Sequence, residues 1–197
     1  VKELRDLTGA GMMDCKRALE ETDGDVEGAQ KLLREKGLAA AAKRAERATT
    51  EGIVLARVDG GRGTMVAIGC ETEPVSKNDA FRSFAARALD LVAADGVSGV
   101  EGVEAERTEL IAKIGENIVV VGAARYEGGV QAAYVHPPAN KIGVLVQLDG
   151  GTPELARLLA MHISFAAPDY ATRDDVPTEV VEAERQIEGE MARRRIR

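Results

Sequence analysis

Two histidines, His136 and His162, and two cysteines, Cys15 and Cys70, are the side chains of this chain best suited to nucleophilic, general-base or metal chemistry. Neither histidine stands at metal-ligand spacing from the other, from a cysteine or from a carboxylate. No Ser–His–Asp or Cys–His arrangement can be nominated from spacing. His162 falls within Ala160-Met161-His162-Ile163, where a lone histidine is ordinarily a packing or surface residue. His136 is less ordinary, because Pro137 and Pro138 hold it at a rigid strand end. Gly60, Gly61 and Gly63 do not open a helix, so they form a hairpin turn rather than a phosphate cradle, and no P-loop or dinucleotide fingerprint exists elsewhere. The carboxylates of 104–109 and 179–190 read as solvated helix faces. The cysteines read as buried thiols in a reducing cytosol, not as a disulfide. These residues point to no metal, no cofactor and no reaction site.

The elements that must position them come from a chain of 197 residues, enough for one large or two small domains. Trp is absent and aromatics make up 3%, so the core must be built from Ala, Val, Leu and Ile. A net charge of −7 argues against direct nucleic-acid binding, which needs a cationic surface to displace counterions. No run of about 18 apolar residues exists, so no membrane span is expected. No signal-peptide pattern opens the chain at Val1, and the missing initiator Met is read as a few absent native residues. The expected location is cytoplasmic.

Residues 1–37 predict a three-helix module. Val1 and Leu4 begin one stripe, Gly9 and Gly11 bracket a break, and Met12, Cys15 and Leu19 form a second stripe at i, i+3, i+7. Thr22 to Asp25 make a turn, Asp25 caps the third helix, Val26, Ala29 and Leu33 face inward, and Gly37 ends it. Residues 38–50 predict a solvated, Ala-rich linker helix without a hydrophobic face. An N-terminal core subdomain over 51–98 begins with strands Ile53–Val58 and Thr64–Ile68 around a Gly-rich turn. A polar loop from Cys70 to Asn78 then leads to a helix over Ala80–Ala94, with Phe81, Phe84, Ala88 and Leu91 on one face. A C-terminal core subdomain over 103–177 holds a helix near 104–113, a hairpin of Ile118–Tyr126 with Val130–Val135 around Gly128-Gly129, a strand Ile142–Leu148, and a helix Thr152–Ala166. The two halves resemble each other as a duplicated strand–strand–helix unit. Residues 178–197 start a further helix ending in the basic run Arg193-Arg194-Arg195. The fold class is α+β, with antiparallel strands packed on helices.

The string "LRDLTGAGMMDCKRALEETDGDVEGAQKLLREKG", followed by "KRAERATTEGIV", resembles the N-terminal module of bacterial elongation factor Ts. "TGAGMMDCKRAL" is its most specific part. "CETEPVSKN" is similar to the family signature Cys-Glu-Thr-Asp-Phe-Val-Ala-Lys-Asn. "AKIGENIVV", "YVHPPANKIGVLV" and "AMHISFAAPDYATRDDVPTEVVEAERQI" extend the resemblance, in order, over nearly the whole chain. It implies a ubiquitin-associated-like three-helix head followed by two α+β core subdomains. It implies a guanine-nucleotide exchange factor for the GTPase elongation factor Tu, not an enzyme, with no nucleotide or metal of its own. It also allows a homodimer within a 2:2 complex.

The resemblance gives residues roles. Periodicity places Met12 on the core stripe and Met13 with Lys16 on the other face, where a soft apolar side chain beside a cation suits docking. The family implies that Met12, Met13 and Lys16 lie in the region gripping the partner's nucleotide-binding domain. Ile114-Gly115-Glu116 is implied as a second contact, with close backbone approach at Gly115. His136 corresponds to the family histidine that reaches near the partner's phosphate-binding loop. Thr72, Glu73, Pro74, Val75, Lys77 and Asn78 form the implied wedge, pressing between partner helices near the magnesium site.

Two features depart from the family. Glu73 stands where it has Asp, and Pro74 where it has Phe. Pro removes a ring and a backbone N–H and is expected to push Glu73 away from helical geometry. Loss of a Phe-sized anchor costs on the order of 2 kcal/mol of coupling. The chain stops just after "VEAERQIEGEMARRR", where the family continues into a coiled coil and a C-terminal module. The alternative to an active exchange factor is a diverged paralogue that binds the GTPase but exchanges weakly or not at all.

Overall fold

The computed structural model describes residues 1–195, with side chains described through Arg193. The expected basic run therefore lies partly outside the described residues, as do residues 196 and 197. Two compact units are present, Val1–Ser164 and Phe165–Arg197.

The first unit opens with α1 (Lys2–Thr8), α2 (Met12–Glu21) and α3 (Val26–Arg44). Gly9 ends α1 in the left-handed conformation, and the Asp25 carboxylate caps α3 by accepting from the Glu27 and Gly28 amides at 3.1 Å each. Leu4, Cys15, Ala18 and Ala29 form the head's buried centre, with Leu19, Val26, Leu32 and Leu33 packed against it.

Gly37 does not end the third helix, and residues 38–44 continue it instead of forming a separate linker helix; the stretch 38–50 is mostly exposed, with Ala41 buried. The helix runs on to Arg44. Gly37 is buried where a side chain would meet the Ala112 methyl at 2.8 Å. One turn on, Ala41 joins the main core. The run lacks a large apolar stripe because its partner is another helix at close range, and only Gly and Ala fit there.

Strands β1 (Glu51–Asp59) and β2 (Arg62–Cys70) pair antiparallel from Glu51–Cys70 to Asp59–Arg62. Gly60 and Gly61, both at positive φ, turn the chain between them. After β2 come the one-turn α4 (Glu73–Ser76), α5 (Asp79–Asp95), a 3-10 segment (Val97–Val103) and α6 (Glu104–Ile114). Strand β3 (Ile118–Glu127) then pairs along β2, giving the sheet order β1-β2-β3. Thr64, Val66, Ile68 and Cys70 of β2 are buried on alternate positions. Val66, Ile68 and Cys70 pack with Phe81, Phe84, Ala88 and Val92 of α5 and with Ile111 of α6.

β3 and β4 (Val130–Val135) do not form the expected hairpin. β4 pairs instead with β5 (Gly143–Leu148) in a second, two-stranded sheet. Gly128 and Gly129, both at positive φ, redirect the chain. The Gly128 amide donates to Gly61 at 3.0 Å, and its carbonyl accepts from the Gln131 and Gln147 side chains at 2.9 and 2.8 Å. The joint is thereby tied to the β1–β2 turn. The small sheet lies on the other face of the first, where Gly143 meets Val54 and Met65 without room for a side chain. Strand–strand–helix order occurs twice, as β1-β2-α5 and as β4-β5 followed by α7 (Pro153–Ala166), and β3 breaks the symmetry.

In the second unit, Thr172 and Asp175 form a capping box around a 3-10 turn, and α8 (Thr178–Arg195) follows. No helix is long and apolar enough to cross a membrane among the described residues.

The close approach at Gly37 sets a test. Gly37→Leu is expected to lower unfolding free energy in urea by about 2 kcal/mol through overpacking. Ala39→Leu, at an exposed position of the same helix, should change it by less than about 0.5 kcal/mol. Equal effects would refute the tight α3–α6 contact.

Candidate functional site

Helix α2 begins at Met12 after the short Gly9-Ala10-Gly11 connection, with Gly11 at its N-cap. Met12 is not a core residue. It is 59% exposed and Met13 is 61% exposed, because the buried face of α2 runs through Cys15 and Ala18. A side chain at the first helical position points back beyond the helix end, where no turn covers it. Leu7, on α1, is also exposed. Three large exposed apolar side chains thus flank the α1–α2 connection, and Lys16 pairs loosely with Glu20 at 3.6 Å.

The segment after β2 is more ordered than a polar loop. Thr72 stands at the N-cap of α4, Glu73 and Pro74 occupy its first turn, and Lys77 closes it. Glu73 is therefore helical, contrary to expectation. The proline lies where a helix has no amide acceptor to offer, so its missing N–H costs nothing. Ser76 is buried, and its hydroxyl donates to the Glu73 carbonyl at 2.7 Å. Lys77 bonds the exposed Glu73 carboxylate at 2.9 Å and holds it below the usual carboxylate range. Val75 is half-buried against the core. Asn78 caps α5, its oxygen accepting from the Ala80 and Phe81 amides at 2.9 and 3.3 Å.

The Ile114-Gly115-Glu116 turn is tied to this segment. Glu116 accepts from the Thr72 hydroxyl at 2.6 Å and the Thr72 amide at 3.0 Å. Gly115 caps α6 at φ 87°, a conformation that demands glycine. Among the described residues, nothing lies within 4 Å of the place a side chain would occupy there. Next in sequence, Asn117 is buried. Its amide N–H donates to Glu71 at 2.6 Å, and its side chain donates to the Ala45 and Arg47 carbonyls at 3.3 and 2.8 Å.

His136 is exposed at the start of the β4–β5 loop, 136–142. Its backbone N–H donates to Ile142 at 2.9 Å, and its Nδ1 lies 2.9 Å from the Tyr134 hydroxyl. The loop is fastened to β1. The Val54 amide donates to Asn140 at 2.7 Å, and Lys141 pairs with Glu51 at 2.5 Å. That pairing raises the Lys141 pKa, with a smaller contribution from the Glu73 carboxylate. At the same sheet end, burial pushes the Cys70 thiol up to about 11, reinforced by Glu116 and then Glu51.

The expected contact residues after β2, at the end of α6 and in the β4–β5 loop thus meet at one end of the sheet, where β1 starts, β2 ends and β3 starts. Residue spacing alone missed Glu71, Glu116 as a brace, Asn117, Tyr134 and Lys141. Glu116 and Asn117 lie within a family-like string, but nothing about their spacing announces a partner more than 40 residues away. A cavity of about 600 Å³ lies between the head and α6, lined by neither histidine nor cysteine. Among the described residues, no three His, Cys, Asp or Glu side chains gather as a metal site requires.

The family model for elongation factor TS matches residues 71–196, which include the braced segment, the Gly115 turn and His136. Elongation factor Ts of Idiomarina loihiensis is 43% identical over 203 residues, covering 98% of this chain and 69% of that protein. The chain belongs to the elongation factor Ts family. Elongation factor Ts of Haemophilus influenzae is 45% identical and that of an Enterobacter species 42% identical, over 98% of this chain in both cases. Elongation factor Ts is a translation elongation factor, and the family string after β2 coincides here with the braced, exposed α4 turn.

Removing the brace should loosen that turn alone. Glu116→Ala is expected to speed amide hydrogen exchange over 71–77 by roughly tenfold, the weight of a charge-assisted hydrogen bond. Exchange in α5 should be unchanged, and equal acceleration of both would mean that Glu116 supports the whole core. Cys70, buried and neutral at pH 8, should react with iodoacetamide only as fast as the structure opens. Immediate labelling of Cys70 in the native chain would contradict that placement.

Proposed function

We propose that this chain is a guanine-nucleotide exchange factor for elongation factor Tu, working in the cytoplasm without covalent chemistry, metal or cofactor. The observation that carries the reading is the bracing of Thr72 by Glu116 and of Glu71 by Asn117. It joins the expected wedge and the expected Gly115 contact into one preformed surface, so little ordering entropy is lost on docking. Met12, Met13 and Lys16 grip the partner's nucleotide-binding domain, the apolar pair supplying buried area and Lys16 charge. Ile114 and Gly115 make a second contact. Glu73, Pro74, Val75 and Lys77 press near the magnesium site, with Thr72 and Asn78 fixing the two ends of their turn. His136 reaches toward the phosphate-binding loop.

The bound Mg²⁺ of the GTPase is the dominant local charge holding the nucleotide phosphates. A wedge that disturbs its shell weakens nucleotide binding, and linkage requires nucleotide to weaken the factor by the same ratio. The factor speeds exchange in both directions, and nucleotide levels set the outcome. A homodimer within a 2:2 complex is compatible with this scheme.

A second reading, a paralogue that docks but exchanges weakly or not at all, is favoured by two features of the α4 turn. The Glu73 carboxylate is bonded to Lys77, and Pro74 offers no aromatic ring. Stopped-flow release of fluorescent GDP from elongation factor Tu separates the two. At least about tenfold acceleration, the equivalent of roughly 1.4 kcal/mol of coupling, is expected from the wild-type chain. Glu73→Asp with Pro74→Phe should accelerate release further, by a factor that reports the missing ring. Binding without acceleration would favour the second reading, and absence of binding would overturn both.

A further inference from the structure

We infer that Tyr134 is a positioning residue for His136, aiming the imidazole Nε2–H at an acceptor oxygen of the docked GTPase, a main-chain carbonyl or a carboxylate. The inference rests on the exchange reading for its partner, but its geometry belongs to the free chain.

Tyr134 and His136 are two residues apart, so on an extended strand they project from the same face. Tyr134 is half-buried on β4 and His136 is exposed just past its end. The Tyr134 hydroxyl lies 2.9 Å from Nδ1. The ring centroids are 6.0 Å apart and the planes are tilted by 58°, so the contact is an edge hydrogen bond and not a stack.

The His136 backbone is fixed from both sides. Its N–H donates to the Ile142 carbonyl at 2.9 Å, and its carbonyl accepts from the Asn140 amide at 3.1 Å. Pro137 further restricts the residue before it to extended conformations. With the backbone set, an exposed histidine still has three χ1 wells and a broad χ2 to choose from. The hydroxyl bond selects one combination.

The same bond fixes which nitrogen faces outward as a donor. A phenol is the better donor and a neutral imidazole nitrogen the better acceptor, so the Tyr134 hydroxyl donates to Nδ1 and the ring proton resides on Nε2. In the imidazolium Nδ1–H donates to the phenol oxygen instead, and Nε2 still carries its proton. The outward nitrogen is thus a donor in either charge state, which matches an acceptor oxygen and not a second N–H.

Two readouts test the inference. In the free chain, long-range proton–nitrogen correlation of the His136 ring should show Nε2 protonated and Nδ1 as a hydrogen-bonded acceptor. Tyr134→Phe should shift the Nδ1 resonance, and no shift would overturn the positioning. In the GDP-release assay, Tyr134→Phe should slow stimulated release roughly three- to tenfold, the range of one neutral hydrogen bond. In a His136→Ala background it should have no further effect. An equal loss in that background, or no loss in the wild-type background, would overturn the role. A wild-type chain that binds without speeding release overturns the exchange reading, and the ring spectrum still decides the Tyr134 bond.

Discussion

Asn117 is buried to within 1% of full burial, and its hydrogen bonds decide where three separate stretches of chain meet. A buried amide donor left unpaired costs about 1–3 kcal/mol, and Asn117 has its donors paired while its Oδ1 has no partner among the described residues. Its side chain satisfies the carbonyls of Ala45 and Arg47, where the chain leaves α3, and its backbone N–H satisfies Glu71 at the exit of β2. The next residue, Ile118, begins β3 fully buried. Moving Asn117 would therefore loosen at once the joint between head and sheet, the root of the α4 turn and the start of the strand that completes the sheet. Packing alone could not specify this meeting. Apolar side chains tolerate sliding, whereas an amide with donors committed in several directions does not.

Around that fixed point the polar contacts are graded by burial. Thr72–Glu116 is bidentate, and Glu116 is half-buried. Glu73–Lys77 is exposed on both sides, at 61% and 65%, and solvent-exposed pairs of that kind contribute little to stability. The root of the turn is thus held while its tip remains electrostatically free to exchange partners. Glu73 can leave Lys77 for a new cation at small cost, and Lys141 already contributes to its field. On the exchange reading, a surface that displaces part of a metal ion's environment gains from this division. A mobile root would lose binding energy to ordering, and a rigidly paired tip would have no charge to spend.

How much of this was legible in the sequence follows from the range of each interaction. The Asp25 cap, the Gly9 terminus, the Gly60-Gly61 turn and the inward Phe81 and Phe84 rest on residues a few positions apart, and they could be read directly. The pairing of β3 with β2, rather than with the adjacent β4, is set by contacts across the sheet and by Gly128 bonding to Gly61. Local pattern shows only that each segment is a strand. The continuation of α3 past Gly37 was hidden because small residues look like a featureless linker until a close-packed partner helix is known. Met12 was misplaced because a periodic stripe takes no account of where the helix begins.

The candidate site was still less visible. Residue types alone singled out His136, through the prolines that follow it. The other candidate contact residues came from resemblance, which carries a motif but not its supports. Tyr134, Glu116 and Asn117 are such supports; Glu116 and Asn117 act at places that no spacing rule addresses, and Tyr134 shares a strand face with His136 without its type announcing the bond. Tyr134 works across a strand end, Glu116 across 44 positions to Thr72, and Asn117 across 70 to Arg47. On the exchange reading proposed above, the factor has only geometry and charge with which to act. The residues that set geometry are then as much part of the proposed function as those placed to touch the partner, and a linear motif does not display the long-range bonds of Glu116 and Asn117.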